Sequence, residues 1–214
     1  KDVYNMDWKK RELTVDYTGV LSQAEERDAF YLVQKGFKAG HDETVFKLYR
    51  PFAQLNAGLS KVEVENITNN GVDVKSLKSK AVVRKVANKL FLGQDNHGKI
   101  DKDKLVEVEF DSAAKPAEEL KVSSAVTGGP FEYVSLNYLL VNEEQLVEVD
   151  YTFTDNEGTN YERTYYSVPV KRNYRTNIIG ALLSSPIDFT VEIVPEFTNN
   201  PEEDYNRVIW DGKS

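Results

Sequence analysis

Side chains that carry chemistry are few in this sequence. The chain has two histidines, His41 and His97, and no cysteine. The histidines lie in separate turn-like segments, with no second ligand beside them at a recognised metal-binding spacing. The sequence contains no G-x-S-x-G nucleophile elbow, and no Ser-His-Asp triad can be assembled from it. We therefore interpret both histidines as surface residues and expect no serine hydrolase.

Adjacent glutamates are the other candidate for catalysis, because two carboxylates at a suitable separation cleave glycosidic bonds. Neighbouring side chains usually diverge, and each pair lies where a solvated turn is expected. The sequence therefore predicts no enzyme. The pairs are Glu25-Glu26, Glu118-Glu119, Glu143-Glu144 and Glu202-Glu203.

The segment from Asp95 to Asp103 is acidic and contains a glycine, as a calcium loop does. It lacks the D-x-[DN]-x-[DN]-G order and the terminal glutamate of an EF-hand. We interpret it as a hairpin turn. The sequence therefore predicts no metal and no cofactor.

The overall composition is that of a folded, acidic protein. The 214 residues are 40% hydrophobic and 29% charged, and the formal net charge is -8. This charge disfavours nucleic acid and anionic lipid as partners. No run of about 18 apolar residues is present. Because the chain begins at Lys1, we expect a processed form, with membrane attachment only through a lipid anchor upstream.

Alternation of apolar and polar residues is the dominant pattern, and it predicts half-buried β-strands. The predicted strands lie at residues 11–18, 61–66, 105–111, 146–154 and 187–194. Val168 and Val170 predict a further strand, and Pro169 between them favours an edge position. Helical periodicity is limited to Ser22–Asp28 and Asn177–Leu183.

Turn residues separate these strands at Asn69–Gly71, Asp95–Gly98, Gly128–Pro130 and Asp155–Gly158. Such residues favour tight hairpins, so neighbouring strands are expected to be mostly antiparallel. The sequence predicts an all-β protein built as an antiparallel β-sandwich. A domain boundary is predicted near Gly58, with an alternative boundary within residues 113–130.

A basic, polar segment runs from Lys171 to Asn177, between a predicted strand and an apolar run. One interpretation is an anion-binding loop. The favoured one is a structural corner, in which Arg and Asn side chains satisfy backbone groups between two sheets.

Three runs and the end of the chain resemble the fimbrillin-like (FimA-type or Mfa-like) surface lipoproteins of Bacteroidales-type bacteria. The runs are Val168–Leu183, Leu48–Asn56 and Glu26–Tyr31, and the closing residues are Trp210-Asp211-Gly212. These signatures mark the family and no catalytic residue. Their most characteristic positions are Arg50, Pro51, Arg172, Asn173, Arg175, Thr176 and Asn177.

The resemblance implies two transthyretin-like β-sandwich domains in tandem, exported as a lipoprotein to the outer membrane or to an extracellular fimbrium. Residues 1–58 would be the C-terminal part of a first, incomplete domain and residues 59–214 the second. The implied function is that of a structural or adhesive pilus subunit in cell adhesion, and other fimbrial subunits are the expected partners. An incomplete sandwich exposes a strand edge, which upstream residues or a neighbouring subunit would complete by strand exchange.

Two further expectations concern a modification site and a second function. Asp111-Ser112-Ala113 matches the short pattern used for O-glycosylation in similar bacteria, so Ser112 is predicted to carry a glycan. The alternative function is a surface carbohydrate-binding module, which would also be all-β and rich in aromatic residues.

Overall fold

The computed structural model describes residues 3–24, 27–33, 36, 48–93, 98–112, 131–195 and 208–210. In these residues the chain forms twelve strands, one α-helix and one 3₁₀ turn. The elements are β1 (Tyr4–Asp7), β2 (Glu12–Val15), β3 (Phe52–Leu59), α1 (Lys61–Asn69), the 3₁₀ turn Val74–Ser76, β4 (Lys78–Val86), β5 (Lys89–Phe91), β6 (Val106–Asp111), β7 (Glu132–Leu140), β8 (Glu144–Thr154), β9 (Asn160–Lys171), β10 (Tyr174–Gly180), β11 (Phe189–Pro195) and β12 (Val208–Trp210).

Two sheets face each other across the main core. One has the order β12-β11-β10-β3-β7 and the other the order β6-β4-β8-β9. Both contribute side chains to a single apolar cluster that includes Leu55, Ile178, Val149 and Phe153. Among the described strands, all pairs are antiparallel except β3 with β10, which is parallel. The predicted all-β sandwich is therefore confirmed.

The four-stranded sheet follows the alternation of its sequence. Buried and exposed residues alternate along β4 and β8, as expected for strands with one face on the core and one in water. The strands predicted at 105–111 and 146–154 are β6 and β8. Pro169 lies in β9, which is an edge strand, as predicted. Asp155 closes the β8–β9 turn by accepting the amides of Glu157 and Thr159 at 2.9 Å.

The five-stranded sheet is buried on both faces at its centre. All eight residues of β3 are buried, and so are eight of the nine residues of β7. Neither strand was predicted, because a strand covered on both sides shows no polar-apolar alternation. β11 corresponds to the strand predicted at 187–194.

A third sheet, of order β1-β2-β5, lies at one end of the sandwich. Its inward residues Val15 and Leu90 form a second core with Phe52, Tyr138 and Leu140. The strand predicted at 11–18 is β2.

The strand predicted at 61–66 is wrong, because these residues begin helix α1. Ser60 caps the helix, and its side chain accepts the amide of Glu63 at 3.2 Å. Ser60 and Glu63 have the spacing of a capping box, which is a helix-start signal. Glu63 and Ile67, one turn apart, face inward. The turn residues Asn69–Gly71 therefore end a helix and do not close a hairpin.

The helix predicted at Asn177–Leu183 does not form. Asn177–Gly180 are the last residues of β10, and Ala181–Ser184 make a turn. This strand is favoured by its pairing with β3 and β11 on both sides. The described residues of Ser22–Asp28 form turns and contribute no α-helix.

The boundary predicted near Gly58 falls inside β3. Residues on both sides of that position pair with β7 and β10, and β2 pairs with β5. Strands from both predicted domains therefore share sheets, and a division at residue 58 would cut through a strand. The alternative boundary at 113–130 lies outside the described residues, as do His41, His97 and the turn at Gly128–Pro130.

Candidate functional site

The sequence runs of the family resemblance meet in space around Arg50. Its guanidinium donates to both carboxylate oxygens of Asp28, at 2.7 and 2.8 Å. A third nitrogen donates to Oδ1 of Asn173 at 2.9 Å. Residues 22 and 123 positions away along the chain are thus held by one side chain. We call Asp28, Arg50 and Asn173 the arginine cluster.

The arginine cluster lies where β9 passes into β10. Asn173 has a left-handed backbone, with φ of +63°, which a short polar side chain tolerates. Its amide donates to the carbonyl of Phe52 at 2.8 Å. Pro51, which is buried, fixes the chain just before β3. The face of the Phe30 ring lies 4.5 Å below the Arg50 guanidinium.

Arg172 occupies the corner between the two sheets. Its Nε donates to the carbonyl of Val141 at 2.7 Å and a terminal nitrogen donates to the carbonyl of Gly98 at 2.5 Å. Burial lowers the pKa of this guanidinium. These bonds have the geometry of the structural corner that the sequence favoured. The guanidinium of Arg172 therefore acts as a hydrogen-bond donor to backbone carbonyls.

The remaining signature residues lie along β10. Thr176 donates its hydroxyl to the carbonyl of Pro169 at 2.7 Å. Asn177 is directly opposite Asn56 of β3, and the two amides are joined at 2.8 Å. Arg175 is half-buried and pairs in register with Gln54.

A buried amide cluster forms on the face of the five-stranded sheet that points away from the main core. Nδ2 of Asn56 donates to Gln54 and to Asn177, and the hydroxyl of Tyr133 donates to Asn177 at 3.3 Å. Burial raises the pKa of Tyr133 to about 12. All of these groups are neutral hydrogen-bonding groups. The cluster can fix the register of β3 against β10.

Two further residues that hold distant segments in place are not predicted by the sequence. Glu63 is buried, and its carboxylate accepts the amides of Leu183 and Ser184 at 2.9 and 2.8 Å. The capping-box spacing would have located it on a helix. Ser22 is buried between the sheets and bonds to the backbone of Leu136. No local pattern identifies this second residue.

An open cleft of about 810 Å³ separates β6 from the segment Thr14–Gly19. At one end, the backbone of Asp111 is bonded to Val20 and Ser22. Its amide and carbonyl therefore point away from β4, and the alternation of a strand turns those of Glu109 the same way. Beyond the parallel bridge of Leu21 with Asp111, no strand among the described residues pairs with this side of β6, so we call its part at Glu109 the free edge.

Ser112 and the pair Glu143-Glu144 are further predicted positions that the structure describes. Ser112 is half-buried and directly follows β6. Its glycosylation stays a prediction, and the intact mass of the native protein would reveal it. Glu143 and Glu144 are both exposed, and Glu144 pairs with Lys171 at 2.7 Å. The other three glutamate pairs lie outside the described residues.

Neither a cluster of candidate metal ligands nor a membrane-spanning helix occurs in the described part of the chain. No group of three or more His, Cys, Asp or Glu side chains is arranged to hold a metal ion there. No helix among these residues is long and apolar enough to cross a membrane.

Comparison with known proteins gives one family and a distant structure. No curated protein matches the chain. A solved structure titled as a "putative cell adhesion protein" from Bacteroides ovatus matches with 13% identity and a TM-score of 0.43. The match covers 72% of this chain and 49% of that one, so the chain spans about half of its length. A family model described as a family of unknown function (DUF6562) matches residues 4–210, and the chain belongs to this family.

Proposed function

We propose that this chain is a structural or adhesive subunit of a bacterial fimbria, or a fimbrillin-like surface lipoprotein that acts in cell adhesion. Its place would be the outer membrane or an extracellular fimbrium, with any lipid anchor upstream of Lys1. Its partners would be other fimbrial subunits. The transthyretin-like architecture implied by the resemblance belongs to the same proposal.

The free edge of β6 is the observation that carries this proposal. The outward amide and carbonyl of Glu109 border the open cleft between β6 and the segment Thr14–Gly19. Neighbouring strands lie about 4.8 Å apart, and an added strand would bond to these groups as β4 does on the other side. An edge strand of this kind is a template for joining one chain to another.

The arginine cluster supports a structural role. The charge of Arg50 is paired with Asp28 within the cluster, and the neighbouring Arg172 is bonded to two backbone carbonyls. Residues that hold strands from distant parts of the sequence together are expected in a scaffold. We therefore propose that the chain is not an enzyme.

Proline at position 109 tests the proposal. The Glu109 amide points into the cleft, so Glu109→Pro removes one outward donor without removing a bond to β4. Glu109→Ala is the matched control, because both changes remove the ion pair with Lys80 and only the proline removes the amide. In light scattering and electron microscopy, we expect wild type and Glu109→Ala to form oligomers at high concentration and Glu109→Pro to remain monomeric.

Assembly that is equal in all three proteins would refute strand addition at β6. The same measurement on a chain with and without its upstream residues separates the two ways of completing the edge. Completion within the chain gives monomers when the upstream residues are present, whereas exchange gives oligomers that depend on them.

The alternative function is a surface carbohydrate-binding module. The specific observation in its favour is the exposure of aromatic side chains, above all Trp8 and Tyr166. A saturable signal on a glycan array that is lost when these residues are replaced by alanine, in a protein that forms no oligomers at high concentration, would favour it over the structural role.

A further inference from the structure

The tip of the β1–β2 hairpin carries Trp8, whose exposed fraction is 79%. Tryptophan is on average a highly buried residue, so an indole left almost wholly in water is unusual. The three residues that follow it, Lys9, Lys10 and Arg11, are exposed as well. We call Trp8–Arg11 the hairpin tip.

The hairpin tip is held in one shape from both ends. The carboxylate of Asp7 accepts the amides of Lys9 and Lys10, each at 3.0 Å. The hydrogen bond from the Lys10 amide holds the pKa of Asp7 below its usual value. At the other end, the Arg11 carbonyl accepts the amide of Leu92 at 2.9 Å, and its guanidinium donates to Gly93. A loop that is already ordered loses little entropy when a ligand binds.

The charge of the hairpin tip is opposite to that of the whole chain. Three consecutive cations stand in a protein of net charge -8. Lys10 forms an exposed ion pair with Asp7 at 3.5 Å, and Lys9 has no ion-pair partner among the described residues. Within about 8 Å, the Debye length at physiological salt, this local charge acts on a ligand more strongly than distant carboxylates do. The expected ligand is therefore an anion that touches only the tip.

We propose that the hairpin tip binds an acidic polysaccharide. The indole face of Trp8 would stack on the apolar face of a sugar ring, while Lys9, Lys10 and Arg11 would pair with uronate or sulfate groups on the same chain. The inference gives a ligand to the adhesive function proposed above and rests on that function for its use at the cell surface. The binding itself needs only the tip.

A polysaccharide fits the tip better than an anionic membrane does. A bilayer presents a wide negative surface, which would approach the carboxylates of Asp7 and Glu12 in the same hairpin and the acidic protein as a whole. Stable attachment to lipid also takes two signals or a large apolar area. The tip offers one ring, whereas a single polymer strand can contact that ring and its cations alone.

Calorimetric titration of the monomeric protein with polygalacturonate tests the inference, with neutral dextran and vesicles containing phosphatidylglycerol as comparison probes. We expect saturable binding to polygalacturonate, weakened by added salt. Trp8→Ala should weaken it about ten-fold or more, and Lys9→Gln should weaken it several-fold and reduce its dependence on salt. Matched controls are Leu146→Ala and Lys61→Gln, which remove an exposed apolar side chain and an exposed cation elsewhere.

The unfolding midpoint of Trp8→Ala should equal that of wild type, because the side chain packs against little. Polygalacturonate binding that is unchanged by Trp8→Ala and Lys9→Gln would overturn the inference. So would binding to the vesicles alone, or no binding to any acidic probe. Glu109→Pro should bind polygalacturonate normally, so loss of assembly and loss of binding are separate results.

Discussion

The outer faces of the two main sheets carry polar cross-strand contacts in opposite surroundings. On the four-stranded sheet these contacts are ion pairs in water, such as Lys80 with Glu109 at 2.6 Å and Arg84 with Asp150 at 2.5 Å. On the five-stranded sheet they include the neutral amides of Asn56 and Asn177, which are fully buried.

This difference in solvent exposure determines how much each contact contributes to the free energy of unfolding. An ion pair in water competes with hydration and is screened by salt, so its loss is easily tolerated. A buried amide has no water to replace a lost partner, so breaking one bond leaves other groups unsatisfied. The five-stranded sheet is therefore expected to hold the strand arrangement, and the four-stranded face to tolerate substitution.

Gly180→Ala is expected to have the largest effect. A Cβ at this position would lie 2.2 Å from the carbonyl oxygen of Asp188 and 2.6 Å from Cα of Phe189, and these backbone atoms cannot move aside. We expect the free energy of unfolding in urea to fall by about 3 kcal/mol or more.

Gly58→Ala is the matched comparison for Gly180→Ala. Its Cβ would meet the ring of Phe131, at 2.5 Å, which is a side chain that can shift. The free energy of unfolding should fall by less, about 1 to 2 kcal/mol. Equal losses for the two glycines would show that the close backbone approach of β10 to β11 is not a constraint.

Asn56→Ala tests the buried amide cluster directly. It removes the donor that serves both Gln54 and Asn177, in a place that water does not reach. We expect a loss of about 2 to 3 kcal/mol in the free energy of unfolding. Thr152→Ala, on the outer face of β8, is the control and should change it by less than about 0.5 kcal/mol. A similar small effect for both would contradict the proposed contrast between the faces.

The same contrast explains which strands could be predicted from the sequence. β6 and β8 have one wet face, so Val106 and Val108 alternate with glutamates and reveal the strand. β3 is covered on both faces, and its polar residues Gln54 and Asn56 are buried by pairing with β10. That pairing depends on residues about 120 positions away, which a local pattern cannot contain.

Helix α1 shows a different cause of error. Val62 and Val64 alternate with charged residues, as in a half-buried strand, but Val62 is 66% exposed. The burial of Glu63 and Ile67 and the Ser60 cap determine the structure instead. The arginine cluster was visible only as a family resemblance, because Asp28, Arg50 and Asn173 are brought together by the fold.

Asp150→Asn is expected to have the smallest effect, and its dependence on pH distinguishes the two faces. The hydrogen bond from Arg84 is the main cause that lowers the pKa of Asp150 from its ordinary value of 3.8. A carboxyl with a lowered folded-state pKa stabilises the protein above its unfolded value and loses that contribution as the pH falls through the folded value. In urea unfolding, the free energy of unfolding of wild type should therefore be slightly higher than that of Asp150→Asn at about pH 7, and the difference should shrink below about pH 4 and in high salt.

Asn56→Ala replaces no titrating group, so its lower free energy of unfolding should persist at the same acidic pH and salt, as long as the protein remains folded. If Asp150→Asn instead lowers the free energy of unfolding by a large amount that neither acid nor salt changes, the contribution of Asp150 comes from burial, as it does for the amides of the five-stranded sheet.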